Sequence, residues 1–221
     1  MMDAVECIKT RKSIRRFKPE PVPKEVLLEV INIAKWSPSY KNSQPWGTII
    51  LSGNKKEALS KMLIGLLEKG IKPSPDLPEP ESWPPAEGAR IDHLYKMRSQ
   101  ATGIDLNDPE VIKEAKKANF GFYGAPHAIY LFQDASLTPW SLFDMGLFAQ
   151  SLMLAAHAKG LGTVPQAFAT DYAQDIKTFL SIGETKRLVL GISIGYPDME
   201  SPVNALRTDR VETDELIKWV E

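Results

Sequence analysis

The 221-residue chain predicts a fold of α+β or α/β layers, and three observations lead there. Short apolar runs rich in β-branched residues are bounded by turn-forming residues. Helical patterns stand between those runs. A hydrophobic content of 43% is enough for one substantial core.

The elements follow in order. Residues 3–10 and 24–36 read as helices; in the second, Val26, Leu27, Val30, Ile31 and Ala34 recur at helical spacing behind the entry signal of Pro23. GTIILSG (47–53) reads as a strand between glycines, and KKEALSKMLIGLLEKG as a helix closing at Gly70. KPSPDLPEPESWPP (72–85) carries six prolines, which rule out a continuous helix or a central strand and predict an extended surface excursion. Such a segment serves as a lid or as a mere linker; AEGARIDHLYKMRSQATGI then resumes a helical pattern. A further helix opens at Asp108 and Pro109, and PHAIYLF (126–132) and RLVLGISIGYP (187–197) read as two more strands. In TPWSLFDMGLFAQSLMLAAHAKG (138–160), Thr138 is placed to cap, Pro139 suits the first turn, and Lys159 with Gly160 close the helix. Its apolar residues wrap most of the circumference, which predicts burial on nearly all sides, either at a homodimer interface or at the centre of a monomer.

Composition excludes several function classes. Lys plus Arg (27) nearly balance Asp plus Glu (28), so no global field holds a nucleic acid or an anionic membrane. Cys7 is the only cysteine, and His93, His127 and His157 are scattered, so no metal is expected. The N-terminal residues contain no apolar signal core, and the run 140–156 is broken by Ser141, Asp144 and Gln150; a soluble, cytoplasmic protein is expected. His127 reads as structural, His157 as lying near the exposed end of its helix, and Cys7 as a small buried helix residue. Trp83, Tyr95, Phe120 and Phe122 suit either stacking on an aromatic substrate or plain packing.

One charged stretch stands apart from this balance. TRKSIRRFKPEPVP (10–23) places Arg11, Lys12, Arg15, Arg16 and Lys18 within eight positions. Two cations and a hydroxyl in sequence, Arg11, Lys12 and Ser13, suit a phosphate monoester, and the interleaved Ile14 and Phe17 tie the segment to the core. A solvated basic face is the alternative. Further on, SPSYKNSQPWGTII holds Pro38, Asn42, Gln44 and Pro45 in a non-helical loop rich in amides and hydroxyls, suited to reading a polar heterocycle.

Taken in order, RKSIRRF, AKWSPSYKNSQPW, AKGLGTVPQA, and GISIGYP with NALRTDR resemble the FMN-dependent nitroreductase family across nearly the whole chain. VPQA and PESWPP are most similar to its nitroaromatic (nitrobenzene or nitrobenzoate) reductase branch. The resemblance implies a single α+β domain over 1–221 with a central mixed or antiparallel sheet flanked by helices; in it the excursion 72–100 stands either as a lid over the flavin or as a linker. It implies an intertwined homodimer with FMN at the subunit interface, NAD(P)H as reductant, and a small-molecule electron acceptor such as a nitroaromatic or a quinone, turned over in ping-pong fashion. By the same resemblance Arg11, Lys12 and Ser13 match the positions holding the FMN phosphate and ribityl chain, and Arg15 a basic position near the isoalloxazine. Pro38, Ser39, Tyr40 and Asn42, with Gln44 in the same loop, match a partner-chain loop packed against the ring. Pro165, Gln166 and Ala167 match the segment on the ring's other side, with only a backbone role carried over at Ala167. Arg207 matches a second phosphate cation, although Arg210 fits as well.

The chemistry agrees with that assignment. A buried phosphate dianion needs several cations, and reduced flavin gathers negative charge at N1 and C2=O, where a cation such as Arg15 favours reduction. No side chain is expected to act as a nucleophile or as an acid–base catalyst, because hydride transfer between stacked rings needs proximity and a dry face. No dinucleotide fingerprint is present, so the nicotinamide is expected to stack transiently, with NADH or NADPH left open. Two alternatives stand beside the reductase: a specialised relative using the same flavin site for other reductive chemistry or flavin fragmentation, and a non-catalytic flavin-binding protein.

Overall fold

The computed structural model describes residues 2–221. Its sheet consists of β1 (Gly47–Ser52), β2 (His127–Asp134), β3 (Gly162–Gln166) and β4 (Lys186–Gly195), all neighbours antiparallel, in the order β1-β2-β4-β3. The helices are α1 (Ala4–Thr10), α2 (Lys24–Ala34), α3 (Gly53–Glu68), α4 (Pro85–Thr102), α5 (Pro109–Phe120), α6 (Pro139–Ala158), α7 (Ala173–Leu180) and α8 (Thr213–Leu216). The architecture is therefore α+β, a sheet covered on both faces.

The two-residue period of β2 assigns those faces. Ile129 and Leu131 pack with Leu27, Val30, Phe148 and Leu152 of α2 and α6, whereas Ala128 and Tyr130 pack with Leu59, Leu63, Phe120 and Ile176 of α3, α5 and α7. A strand buried on both sides reads as a continuous apolar run, which is why PHAIYLF is legible in the sequence. Phe120 and Phe122 are fully buried in the second of these clusters, which removes them as substrate-stacking groups.

β3 departs from the expected three strands. Its sequence GTVPQ is short and interrupted by Pro165, which cannot donate to a ladder; it succeeds because it lies at the sheet edge, where β4 is the one strand it pairs with. At α6 the expected cap also differs: the Thr138 hydroxyl makes no capping bond, and Ser141 Oγ donates to the Thr138 carbonyl at 2.7 Å. Much of α6 is buried as expected, but Trp140 and Phe143 near its start stand exposed on the isolated chain.

The proline-rich excursion is clasped to the core at its first turns. The Ser74 N–H donates to the Asp171 carbonyl at 2.7 Å; Asp76 pairs with Lys177 Nζ at 3.0 Å and accepts from the Leu188 N–H at 2.7 Å. Beyond it, α4 buries none of its residues and ends at Gly103, whose φ of 69° is a left-handed closure that glycine adopts without strain.

Candidate functional site

The basic segment is held along the edge strand. The Ile14 N–H donates to the Thr163 carbonyl at 3.0 Å, and Ser13 bridges Thr163 in parallel. Gly162 permits this approach, since a Cβ there would lie 2.7 Å from Ile14 Cγ1. Ile14 and Phe17 are buried with Ala125 and Val164, so Arg15 is held between two anchored apolar residues and Arg11, Lys12 and Ser13 lie immediately before the first of them.

Arg11 is the electrostatic centre of this edge. Its Nη1 is buried and has no hydrogen-bond partner among the described residues. Burial first, and then the charge of Arg210, lower its pKa. A buried guanidinium nitrogen without an acceptor is costly, so the chain's own groups leave this site chemically incomplete. The cleft beside it, about 250 Å³, is lined by Arg11, Lys12, His157, Gly162 and Thr163.

The C-terminal segment closes on the same edge through Asn204, a residue that the sequence reading quoted within NALRTDR without giving it a role. Asn204 is 1% exposed. Its Oδ1 accepts from the Arg15 N–H at 2.7 Å, and its Nδ2 donates to the Arg16 and Asp198 carbonyls, each at 2.8 Å. Lys12 Nζ donates to the Asn204 carbonyl, so this ammonium also fastens the two segments together. The Arg207 guanidinium donates to the Lys9 carbonyl, while Arg210 is the cation whose charge acts on Arg11. Both arginines thus reach the basic segment, on exposed positions.

At the far end of β3, Pro165 and Ala167 are exposed, whereas Gln166 turns inward. Gln166 Nε2 donates to the Asn119 carbonyl at 2.8 Å and to Asn119 Oδ1 at 3.0 Å, and Ser193 Oγ donates to Gln166 Oε1. Its side chain is committed to the core; only its backbone faces the edge.

The amide-rich loop is built by strain and by one buried carboxylate. Lys41, Asn42 and Gln44 have φ of 51°, 56° and 47°, left-handed conformations that non-glycine residues seldom adopt. Asp144 of α6, 3% exposed, accepts from the Tyr40 N–H with both oxygens at 3.2 and 3.1 Å, and Ser39 Oγ accepts from the Gln44 N–H at 3.0 Å. Among the described residues no hydrogen bond joins this loop to β3 or to the basic segment. The structure therefore brings Arg11–Arg15, β3 and 204–210 together, and ties the loop of Pro38, Ser39, Tyr40, Asn42 and Gln44 to Asp144 of α6 instead.

Remaining candidates resolve into structural roles. His127 Nε2 accepts from the Val22 N–H at 2.9 Å and its Nδ1 meets Ser52 Oγ at 2.5 Å; burial, then the Lys56 charge, lower its pKa and keep it neutral. His157 is half-buried rather than at an exposed helix end, with Nε2 at 2.8 Å from Thr10 Oγ1. Cys7 is buried, and Trp83 and Tyr95 are exposed. Among the described residues no three His, Cys, Asp or Glu side chains stand together as a metal site, and no helix is long and apolar enough to cross a membrane.

Known proteins are similar to this chain in sequence and fold. The profile of the nitroreductase family matches residues 8–196. A 4-nitrobenzoate reductase of Pseudomonas putida is 35% identical, over 94% of this chain and 90% of its own length. A chloronitrobenzene nitroreductase of Comamonas testosteroni is 29% identical, over 97% of this chain and 96% of its own. The crystal structure of the FMN-dependent nitroreductase NfnB of Mycobacterium smegmatis, in complex with NADPH, superposes with a TM-score of 0.94 at 30% identity, covering 99% of this chain and 98% of that one.

Proposed function

We propose, from the premise that this chain belongs to the nitroreductase family, that it is an FMN-dependent oxidoreductase using NAD(P)H to reduce nitroaromatic, quinone or related acceptors. The observation that carries the cofactor assignment is the buried, acceptor-less Nη1 of the half-buried Arg11 at an edge that glycine opens and further cations approach. A phosphate monoester supplies the oxygens that such a guanidinium lacks.

FMN held there would supply the hydride-transfer chemistry between reduced nicotinamide and the acceptor. The chain's residues do the holding and the shielding. Arg11 grips the phosphate, with Arg210 or Arg207 as second cation; Lys12 acts chiefly by fixing the 204–210 segment, through its bond to Asn204. Ser13 lies beside Arg11 for the phosphate and ribityl chain. Arg15, whose backbone Asn204 pins, offers its cation to the N1 and C2=O edge. Pro165, Gln166 and Ala167 present backbone to the ring, the Gln166 side chain being engaged inside.

The second subunit completes this site in the proposal. Pro38, Ser39, Tyr40, Asn42 and Gln44 share no hydrogen bond with the Arg11 edge among the described residues, and we assign them to the partner's flavin. Apolar side chains support the dimer: Trp36 and Trp219 are each 82% exposed, and a groove of about 470 Å³ between α1, α2 and α6 is lined by Cys7, Ile8, Ile33, Trp36 and Leu154. Two copies of this chain would cover those surfaces. Any lid movement belongs to α4, since Ser74 and Asp76 clasp the earlier part of the excursion. A cytoplasmic location goes with this reading, because the reductant is a cytoplasmic nucleotide.

The test begins with purified protein reconstituted with flavin, then denatured. FMN should be released at about one copy per chain, and NADH or NADPH oxidation should depend on a nitroaromatic acceptor. Release of FAD alone, or a flavoprotein that no acceptor reoxidises, would overturn the reading.

A further inference from the structure

Two polar atoms of the cleft beside Arg11 have no partner among the described residues. One is Arg11 Nη1. The other belongs to His157, which lines the same cleft of about 250 Å³ from the last turn of α6. Its Nε2 lies 2.8 Å from Thr10 Oγ1, and that hydroxyl donates its single proton to the Glu6 carbonyl at 2.7 Å; Met2 Sδ, 3.7 Å away, is the poorer acceptor. Thr10 therefore accepts from His157. Nε2 carries the hydrogen, and the neutral ring is left with a bare lone pair at Nδ1, to which nothing hydrogen-bonds among the described residues.

A lone pair repels a phosphate oxygen, whereas a proton on Nδ1 turns the same atom into a charge-assisted donor. The surroundings decide when that proton is held. Burial first, and then the Arg11 charge, lower the His157 pKa, while Glu6 opposes them, so the ring without a ligand is neutral at neutral pH. The other titratable groups around it are engaged elsewhere: Lys12 Nζ donates to the Asn204 carbonyl, Lys159 pairs with Glu29 of α2 at 2.6 Å, and the Cys7 thiol of α1 donates to the Leu154 carbonyl at 3.4 Å. Arg210 acts on Arg11 and adds to the positive field. A phosphate dianion seated on Arg11 reverses the sign of that field, and the C-terminal end of α6 favours a cation as well.

We propose that His157 is a further binding residue for the FMN phosphate, and that it takes up a proton at Nδ1 when the phosphate docks on Arg11. The proposal deepens the flavin assignment and rests on it. No covalent bond to the cofactor forms or breaks; solvent supplies the proton, and departure of the phosphate returns it. Because the ring's pKa is higher in the complex than in the free protein, the contact is complete at low pH and is lost as pH rises through the raised value. Retention of flavin thereby responds to pH near neutrality, which a permanently charged guanidinium cannot do.

The experiment is a calorimetric titration of the flavin-free protein with FMN and with riboflavin, which lacks the phosphate, in buffers of different ionisation enthalpy. FMN should bind with net proton uptake near pH 7, and its affinity should fall roughly tenfold between about pH 6.5 and 8.5, the range of a charge-assisted contact. Riboflavin should show neither effect. His157→Gln keeps a donor for Thr10 but cannot take a proton, so it should abolish the uptake and flatten the pH profile; any proton that the phosphate itself sheds is common to both proteins. Absence of uptake with FMN, or equal uptake with riboflavin, would overturn the proposal on the unmodified protein alone, whether or not the variant folds. So would uptake that persists in His157→Gln, which would move the proton to another group. If neither flavin binds, the FMN reading itself falls, and inorganic phosphate titrated in the same way still decides the site: uptake that His157→Gln abolishes supports it, and any other result rejects it.

Discussion

The clasp around Asp76 and the edge around Arg11 use the same kinds of charged groups and differ in whether the chain completes them. At the clasp, Lys177 and Asp76 pair at 3.0 Å, the Leu188 N–H donates to Asp76 as well, and Lys177 also reaches the Lys186 carbonyl at 3.3 Å. Every charge has its partner. At the edge, Arg11 Nη1 is buried with none, Arg15 and Arg98 repel one another, and Arg207 and Arg210 add positive charge. Such an arrangement does not serve the fold, because a buried guanidinium nitrogen without an acceptor opposes stability. The contrast separates charges that hold the fold from charges that await a ligand.

The contrast breaks most visibly if Asp76 is removed. Asp76→Ala leaves Lys177, 7% exposed, as an unpaired buried ammonium and strands the Leu188 N–H, and should lower unfolding free energy by about 3–5 kcal/mol. Equilibrium urea unfolding of the flavin-free protein measures it; a loss under 1 kcal/mol would mean that the clasp is dispensable. Arg11→Ala should behave in the opposite way. With no partner to lose, the flavin-free protein should unfold at the same or higher urea, while FMN affinity should fall by about 1.5–3 kcal/mol, a charge-assisted contact. Fluorescence titration with FMN gives the second number, and wild-type affinity would return Arg11 to the role of a solvated charge.

The sequence disclosed the two sides of this contrast unequally. Strands buried on both faces, such as PHAIYLF, and helices with a regular apolar stripe, such as 24–36, were legible because a single period governs each of them. The strand GTVPQ was not: its proline and its edge position erase the pattern, and only its place in a family-like motif drew attention to it. The cation cluster was legible as composition, since five basic residues fall within eight positions of a chain whose net charge is −1. What escaped was the partnering. That Lys12 turns to Asn204, that Gln166 turns inward to Asn119, and that Arg98 approaches Arg15 across 83 positions are all tertiary facts with no local signal.

One group crosses the divide and sharpens it. Asp171 is a buried acid on the structural side with no ion pair; burial raises its pKa to about 6 against the opposing Lys116 charge, with Glu79 adding to the rise. Between the ordinary carboxylate range and about 6 the folded state binds the proton more tightly than the unfolded chain, so this group's contribution is present at low pH and is lost as pH rises through about 6. Asp171→Asn should therefore stabilise the protein above pH 7 by on the order of 1–2 kcal/mol, partial solvation reducing the full effect of the shift, and should change little near pH 4. Urea unfolding at both values checks it; an equal effect at the two would remove ionisation as the cause.

The smallest expected effect tests whether the incomplete side itself has two parts. Arg11 faces a charge that FMN carries in either redox state, whereas Arg15 is proposed to face the N1 and C2=O edge, where charge appears only on reduction. Arg15→Ala should then leave the binding of oxidised FMN less affected than Arg11→Ala does and should lower the two-electron midpoint potential. Losing ~1.4 kcal/mol of differential stabilisation corresponds to roughly 30 mV for such a couple. Salt should shrink the difference little, because the site is partly buried and screening acts chiefly on exposed charges. A midpoint that stays put in a potentiometric titration of Arg15→Ala, beside a drop in oxidised-FMN affinity as large as that of Arg11→Ala, would make the two arginines one phosphate clamp. Charge compensation on reduction would then have to come from another group.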